Sequence, residues 1–262
     1  MQRIIWLTEK INFIVLCLLT SICIYSLVFV YLFLKQSSVI IFYLPVIIVR
    51  IDGALAMLAN GVLLSVLMLG SIIGFRQTIK AEGEPTVGNL VPMVFATNMA
   101  VAILLRPRPP ILLTPAYVPA IVVWAPVYEE LFFRFLLVSV PSSILARDPK
   151  VFGGKRNVEG HDWILILTSS VVFSIYHIYG GIGLIIMAMV AGIVLGYLCL
   201  RYSVLCSMFA HMLLNSLAAG FAVSNFYGHS LMIIALETTA ITLAIIGTIN
   251  MILMILTAKR EK

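Results

Sequence analysis

Three short stretches of the chain place side chains capable of acid–base chemistry in otherwise apolar surroundings. The first reads Trp124-Ala-Pro-Val-Tyr-Glu129-Glu130-Leu-Phe-Phe-Arg134-Phe and carries three ionisable residues. Glu130 and Arg134 are four apart, so on a helix they share a face and can pair. Glu129 lies about 100° around the same helix, away from that cation. A buried carboxyl without a cationic partner is the one suited to exchange a proton as a general base. Glu130 and Arg134 fit two roles, a structural ion pair or support for that base. The second stretch is Phe173-Ser-Ile-Tyr-His177, just before Gly180. Taken alone, this histidine reads as a hydrogen-bonded core residue. The third is His211-Met-Leu-Leu-Asn215, with imidazole and carboxamide one turn apart on one helix face. The imidazole is a switchable donor or acceptor and the carboxamide offers fixed donors. Such a pair can stabilise an oxyanion or tie two membrane helices together.

In combination, Glu129, Glu130, His177, His211 and Asn215 outline a hydrolytic centre. An ionisable group at the centre of a membrane helix costs roughly 2.5–3.5 kcal/mol on insertion scales and usually faces the bundle interior. If the three stretches pack together, their polar faces must meet. Water activation by Glu129 with His177 is one route. The other is a divalent metal such as zinc, held by Glu129, His177 and His211, that acidifies a bound water. The helical His-Glu-x-x-His zinc signature does not occur.

The elements that must position these residues are membrane spans. Of 262 residues, 62% are hydrophobic and only 11% charged, against about 25% charged in a soluble domain. Apolar runs long enough to cross a ~30 Å hydrocarbon core recur along the chain. A soluble enzyme, a disordered chain and a secreted disulfide scaffold are excluded. The runs do not alternate as the strands of an outer-membrane barrel would. The net charge of +6 comes without a basic stripe interleaved with aromatics, so it is assigned to the membrane flanks and not to nucleic acid. Cys17, Cys23, Cys199 and Cys206 lie in or beside apolar runs and read as small buried hydrophobes. The run Ile11 to Leu34 is too long for a signal-peptide core and is expected to be a span.

The expected fold is an all-α transmembrane bundle of eight spans, at 11–34, 53–75, 87–105, 115–140, 163–179, 182–200, 203–224 and 229–257, forming one integral membrane domain over 1–262. The apolar stretch Ser37 to Ile51 is expected to be an interfacial segment or an extension of the second span. A proline-rich connector, Arg106-Pro-Arg-Pro-Pro110, separates the third and fourth spans. The largest polar segment runs from Arg147 to Asp162, and tight turns fall at Gly180-Gly181 and around Arg201. With both termini cytoplasmic, twelve basic residues lie inside and four (Lys35, Arg50, Arg106 and Arg108) outside, as the positive-inside rule asks. That topology puts His177 toward the outer end of its span and His211 about one third in from the cytoplasmic side, at different depths.

The ordered set Glu129-Glu130-x-x-x-Arg134, Phe173-x-x-x-His177 and His211-x-x-x-Asn215 resembles the motifs of the CPBP family, which includes type II CAAX prenyl endopeptidases and bacterial Abi-type membrane proteins. The resemblance covers about 117–224, and the segment from Gly196 through Arg201 to His211 is also similar. It implies an intramembrane endopeptidase in which Glu129 activates water with help from His177, His211 and Asn215 form an oxyanion hole, and Glu130, Arg134 and Phe173 are supporting residues. The implied substrate is a prenylated or otherwise membrane-associated protein cleaved near its C-terminus. The implied setting is lipid: the cell membrane in a prokaryote, the endoplasmic reticulum in a eukaryote. Family members have been described both with and without a metal. Two features depart from the pattern. Phe135 stands where many members have glycine, and a long basic loop separates the first two motifs. Two other function classes use buried Glu and His: a proton-coupled transporter, and a non-catalytic, immunity-type protein on the same scaffold.

Overall fold

A computed structural model describes residues 39–44, 47–52, 87–105, 122, 124–147, 157–227 and 230–258. Among these, α1 is Val87–Leu105, α2 Ala125–Glu129, α3 Val140–Ala146, α4 Gly160–Tyr176, α5 Gly181–Arg201, α6 Val204–Tyr227 and α7 Ser230–Ala258. A π-helix, Glu130–Ser139, joins α2 to α3. The expected spans at 87–105, 182–200, 203–224 and 229–257 correspond to α1, α5, α6 and α7. Those at 11–34 and 53–75, with Cys17 and Cys23, fall outside the described residues. Ile178–Arg201 is long and apolar enough to cross a membrane, and Leu90–Leu105, Val204–Asn215 and Glu237–Ile252 are shorter apolar helical stretches.

Most of the stretch Ser37 to Ile51 is extended and not helical. Strands β1, Val39–Leu44, and β2, Ile47–Asp52, pair antiparallel from Val39 opposite Asp52 to Leu44 opposite Ile47. Both strands are rich in valine and isoleucine, whose branched side chains favour a pleated backbone. Pro45 between them interrupts any helix. This hairpin is the exception to the all-α expectation among the described elements.

Helix α4 begins at Gly160, three residues before the expected 163. The Glu159 side chain accepts from the backbone at Asp162, and Asp162 Oδ2 accepts the Glu159 N–H at 2.9 Å. This reciprocal cap satisfies two backbone donors that a helix start leaves open. The helix therefore reaches back into what composition marks as the polar loop. It ends at Tyr176, short of the expected 179. A single 3₁₀ turn, Ile178–Gly180, follows, and Gly181 has φ 77°, a left-handed value that favours glycine. After α5 only Tyr202 and Ser203 intervene before α6, and Ser203 Oγ accepts the Cys206 N–H at 3.1 Å as an N-cap. Both expected tight turns are therefore present.

Helices α4 and α5 pack closely because small residues line their contact. A Cβ added at Gly192 would lie 3.0 Å from the Ser170 side chain, tighter than most real contacts. Small residues at such crossings let membrane helices approach. Helix α5 also packs on α1 and α6, and the π-helix packs on α4, α5 and α6. The buried core where α1, α5, α6 and α7 meet includes Val91, Leu195, Leu198, Ala210, Leu213 and Leu243. Cys199 and Cys206 are free thiols and buried.

Candidate active site

The first motif sits on a continuous helical rod from Ala125 to Ala146 that changes winding in the middle. Pro126 lies in its first turn, where a missing N–H costs nothing. Glu129 closes α2 and Glu130 opens the π-helix, so the two carboxylates straddle the change of winding. Val140 N–H donates to Phe135 O, five residues back. Further along, Pro141 enters α3 without an N–H to donate. Ser169 on α4 donates its hydroxyl to the Phe133 carbonyl, a side-chain partner for the widened backbone. The left-handed Arg147, φ 52°, ends the rod.

Glu130 is fully buried and its carboxylate gathers three neighbours. Ser207 Oγ donates to Oε2, His211 Nδ1 lies 2.9 Å from Oε1, and Arg134 Nε lies 3.6 Å from Oε2. The expected Glu130–Arg134 pair is therefore present, with both side chains buried. Glu129 has the partner that its helix position withholds. Across the interface with α6, His211 Nε2 stands 3.6 Å from Glu129 Oε2. His211 thus lies between the two glutamates, one at each ring nitrogen. Asn215, one turn further along α6, is half-buried.

Phe173 joins the second motif to the other two. Its ring lies 4.2 Å beneath the Arg134 guanidinium carbon, 4.6 Å from the His177 ring and 5.9 Å from the His211 ring, at right angles to the last. A desolvated cation over an aromatic face is worth about 2 kcal/mol. That contact partly offsets the burial of a guanidinium whose nitrogens find no hydrogen-bond partner among the described residues. His177 is the C-cap of α4, and its Nδ1 lies 2.8 Å from the Phe173 carbonyl oxygen. A carbonyl can only accept, so Nδ1 carries the proton and donates. In the neutral ring Nε2 then holds the lone pair. His177 and His211 flank the same Phe173 ring, so the difference in depth expected from the sequence does not separate them.

Sequence reasoning missed Ser207. It precedes His211 by four and Asn215 by eight, so helical spacing alone put it on the same face. Glu129, His177 and His211 are the set a divalent metal would take. Among the described residues no three His, Cys, Asp or Glu side chains are gathered into a ligand cluster.

The family model described as type II CAAX prenyl endopeptidase Rce1-like matches residues 111–217. Residues 111–217, less than half of the chain, are similar to this Rce1-like family. No curated protein and no solved structure matches the chain. The Rce1-like segment contains all three motifs and ends two residues after Asn215. At the level of the family, Rce1-like proteins are membrane proteins and CAAX-type intramembrane proteases. The Rce1-like match begins in the stretch before the helical rod and stops within α6, leaving α1 and α7 outside it.

Proposed function

We propose that this protein is an intramembrane endopeptidase that hydrolyses a peptide bond near the C-terminus of a prenylated or otherwise membrane-associated protein. The observation that carries the reading is the position of His211, with one nitrogen on Glu130 and the other facing Glu129. Glu130, fixed by Ser207 and Arg134, orients the ring. Glu129 takes a proton from the attacking water and returns it to the leaving amine. The His177 Nε2 lone pair accepts a hydrogen bond from that water and fixes its direction of attack. His211 Nε2, when protonated, and the Asn215 amide donate to the oxyanion of the tetrahedral intermediate. No step runs through a metal. The reading places the chain in the membrane as eight spans with both termini cytoplasmic, which lets a lipid-anchored substrate present its peptide at the bundle from within the bilayer.

The test is cleavage of a farnesylated CAAX peptide by the purified protein in liposomes, followed by mass spectrometry of the released tripeptide, with and without chelator. Release by the unsubstituted chain, and loss of release in Glu129→Ala and His211→Ala proteins of unchanged thermal stability, is the expected result. Undiminished release from Glu129→Ala would overturn the reading. Loss of release on chelation alone would replace its metal-free route.

A further inference from the structure

The turn between α4 and α5 carries an exposed apolar surface that the three motifs do not use. It lies inside the longest described run, 157–227, so both helices that form it are described from end to end. Ile178, Tyr179 and Ile182 are 55%, 96% and 61% exposed, and Ile175 and Ile186 extend the surface onto α4 and α5. No Asp, Glu, Lys or Arg occurs between Asp162 and Arg201. The charged residues of this helical hairpin, Glu159, Asp162 and Arg201, all sit at its other end.

A turn in water can leave its backbone groups to the solvent, whereas a turn in lipid must satisfy them internally. Here donors from the chain itself meet the carbonyls at the turn. Phe173 O accepts from His177 Nδ1 at 2.8 Å, and Ser174 O accepts the His177 N–H at 3.1 Å. His177 O accepts the Gly180 N–H at 3.1 Å, and Ile178 O accepts the Gly181 N–H. Each of these four carbonyls, of the kind a helix end leaves open, is met by a donor three or four residues further on.

Helix length then sets the depth of the turn. The 17 residues of α4 span about 25 Å at 1.5 Å each, short of a ~30 Å hydrocarbon core, and any tilt shortens that reach. The exposed carboxylate of Glu159 holds the start of α4 at the membrane surface, because a bare charge deeper in would be costly. The other end of α4 therefore stops within the opposite leaflet. From there the Tyr179 side chain can return its hydroxyl toward the headgroups, with its ring among the acyl chains. The exposed surface is continuous with outward-facing Leu167 and Val171 along α4. An uncharged apolar cover suits it, and acyl chains supply one.

We propose that the α4–α5 turn does not emerge into water but stays submerged in the far leaflet, with Ile178 and Ile182 among lipid acyl chains. The turn begins at His177, so a lipid boundary lies directly beside the histidine to which the proposed chemistry assigns water. The proposal rests on the membrane placement in that reading and not on its peptidase chemistry. Spin labels test it in the full chain with Cys17, Cys23, Cys199 and Cys206 replaced by alanine. They are attached in separate Ile178→Cys, Ile182→Cys, Leu167→Cys and Asn157→Cys proteins held in phosphatidylcholine nanodiscs, which leave both membrane faces open to water. Power saturation compares oxygen, which concentrates in acyl chains, with a neutral nickel chelate, which stays in water. The oxygen-to-nickel ratio at positions 178 and 182 should match that at 167, in the middle of α4, and exceed that at 157 by about tenfold, a modest free energy of partition. Nickel-dominated access at either turn position overturns the proposal. Low access to both reagents also overturns it, because protein and not lipid then covers the turn. Nickel-dominated access at 167 as well would bring down the membrane placement itself, whereas a ratio that fails only at the turn leaves that placement standing.

Discussion

Two clusters in this protein use the same three chemical groups, a carboxylate, a hydroxyl and an imidazole, and do different things with them. At the start of α4, Asp162 is fully buried, accepts from Ser142 Oγ and stands 3.3 Å from His161 Nε2. In the middle of the bundle, Glu130 is equally buried, accepts from Ser207 Oγ and stands 2.9 Å from His211 Nδ1. The first carboxylate also accepts a backbone N–H, that of Glu159, and so fastens the helix start to α3. Its histidine is one-third exposed. The second carboxylate holds a histidine that is nearly closed off from solvent and has another glutamate at its far nitrogen. An acid, a hydroxyl and an imidazole are therefore not sufficient grounds for assigning chemistry. The distinguishing features are the second carboxylate and an enclosed setting in which proton transfer can be directed.

This contrast can be broken experimentally, and the largest effect should come from the carboxylate found in only one cluster. Glu129→Gln removes the proposed base with almost no change in shape. Peptide release should fall about 10²–10⁴-fold, the usual worth of a positioned base, while the unfolding temperature in detergent stays unchanged. If Glu129→Gln retains activity and Asp162→Asn loses it, the two clusters have been assigned the wrong way round.

Phe173→Leu should come next. It removes the ring shared by Arg134, His177 and His211 and with it about 2 kcal/mol of cation–π stabilisation. Turnover should drop while substrate affinity holds, which a kcat-against-KM comparison will read. A fall in stability with unchanged kcat would reduce Phe173 to packing.

Asp162→Ala should cost stability and leave chemistry alone. Loss of a cap is worth about 0.5–2 kcal/mol, visible as earlier thermal unfolding at near-normal turnover per folded molecule. Ser207→Ala should have a stability cost of similar size. One hydrogen bond to a charged group is worth about 1.5–3 kcal/mol, but Glu130 keeps Arg134 and His211, so the observed loss should lie at the bottom of that range. Activity measured alongside should drop less than in Glu129→Gln.

The site was legible in the sequence wherever helical spacing within one element was enough. Glu130 with Arg134, and His211 with Asn215, could be paired by counting, and apolar runs placed α1, α5, α6 and α7. The contacts that depend on two elements were not visible. Counting along α2 leaves Glu129 without a partner, because the partner, His211, comes from α6. The π-helix has no periodic signature, and one of its carbonyls is satisfied by Ser169 from another helix. The β1–β2 hairpin was not foreseen because its apolar residues suit a membrane segment as well as a strand. The early start of α4 was hidden because its capping residues are polar and look like loop.

The bond from His177 to the Phe173 carbonyl has a further consequence. Turning that imidazole over would strand the carbonyl and bring carbon where nitrogen is needed, so only one tautomer is compatible with the local backbone. A histidine analogue methylated at Nδ1 and one methylated at Nε2 would then injure the protein in different ways, the first by prying loose the end of α4 and the second by masking the lone pair while leaving the helix intact.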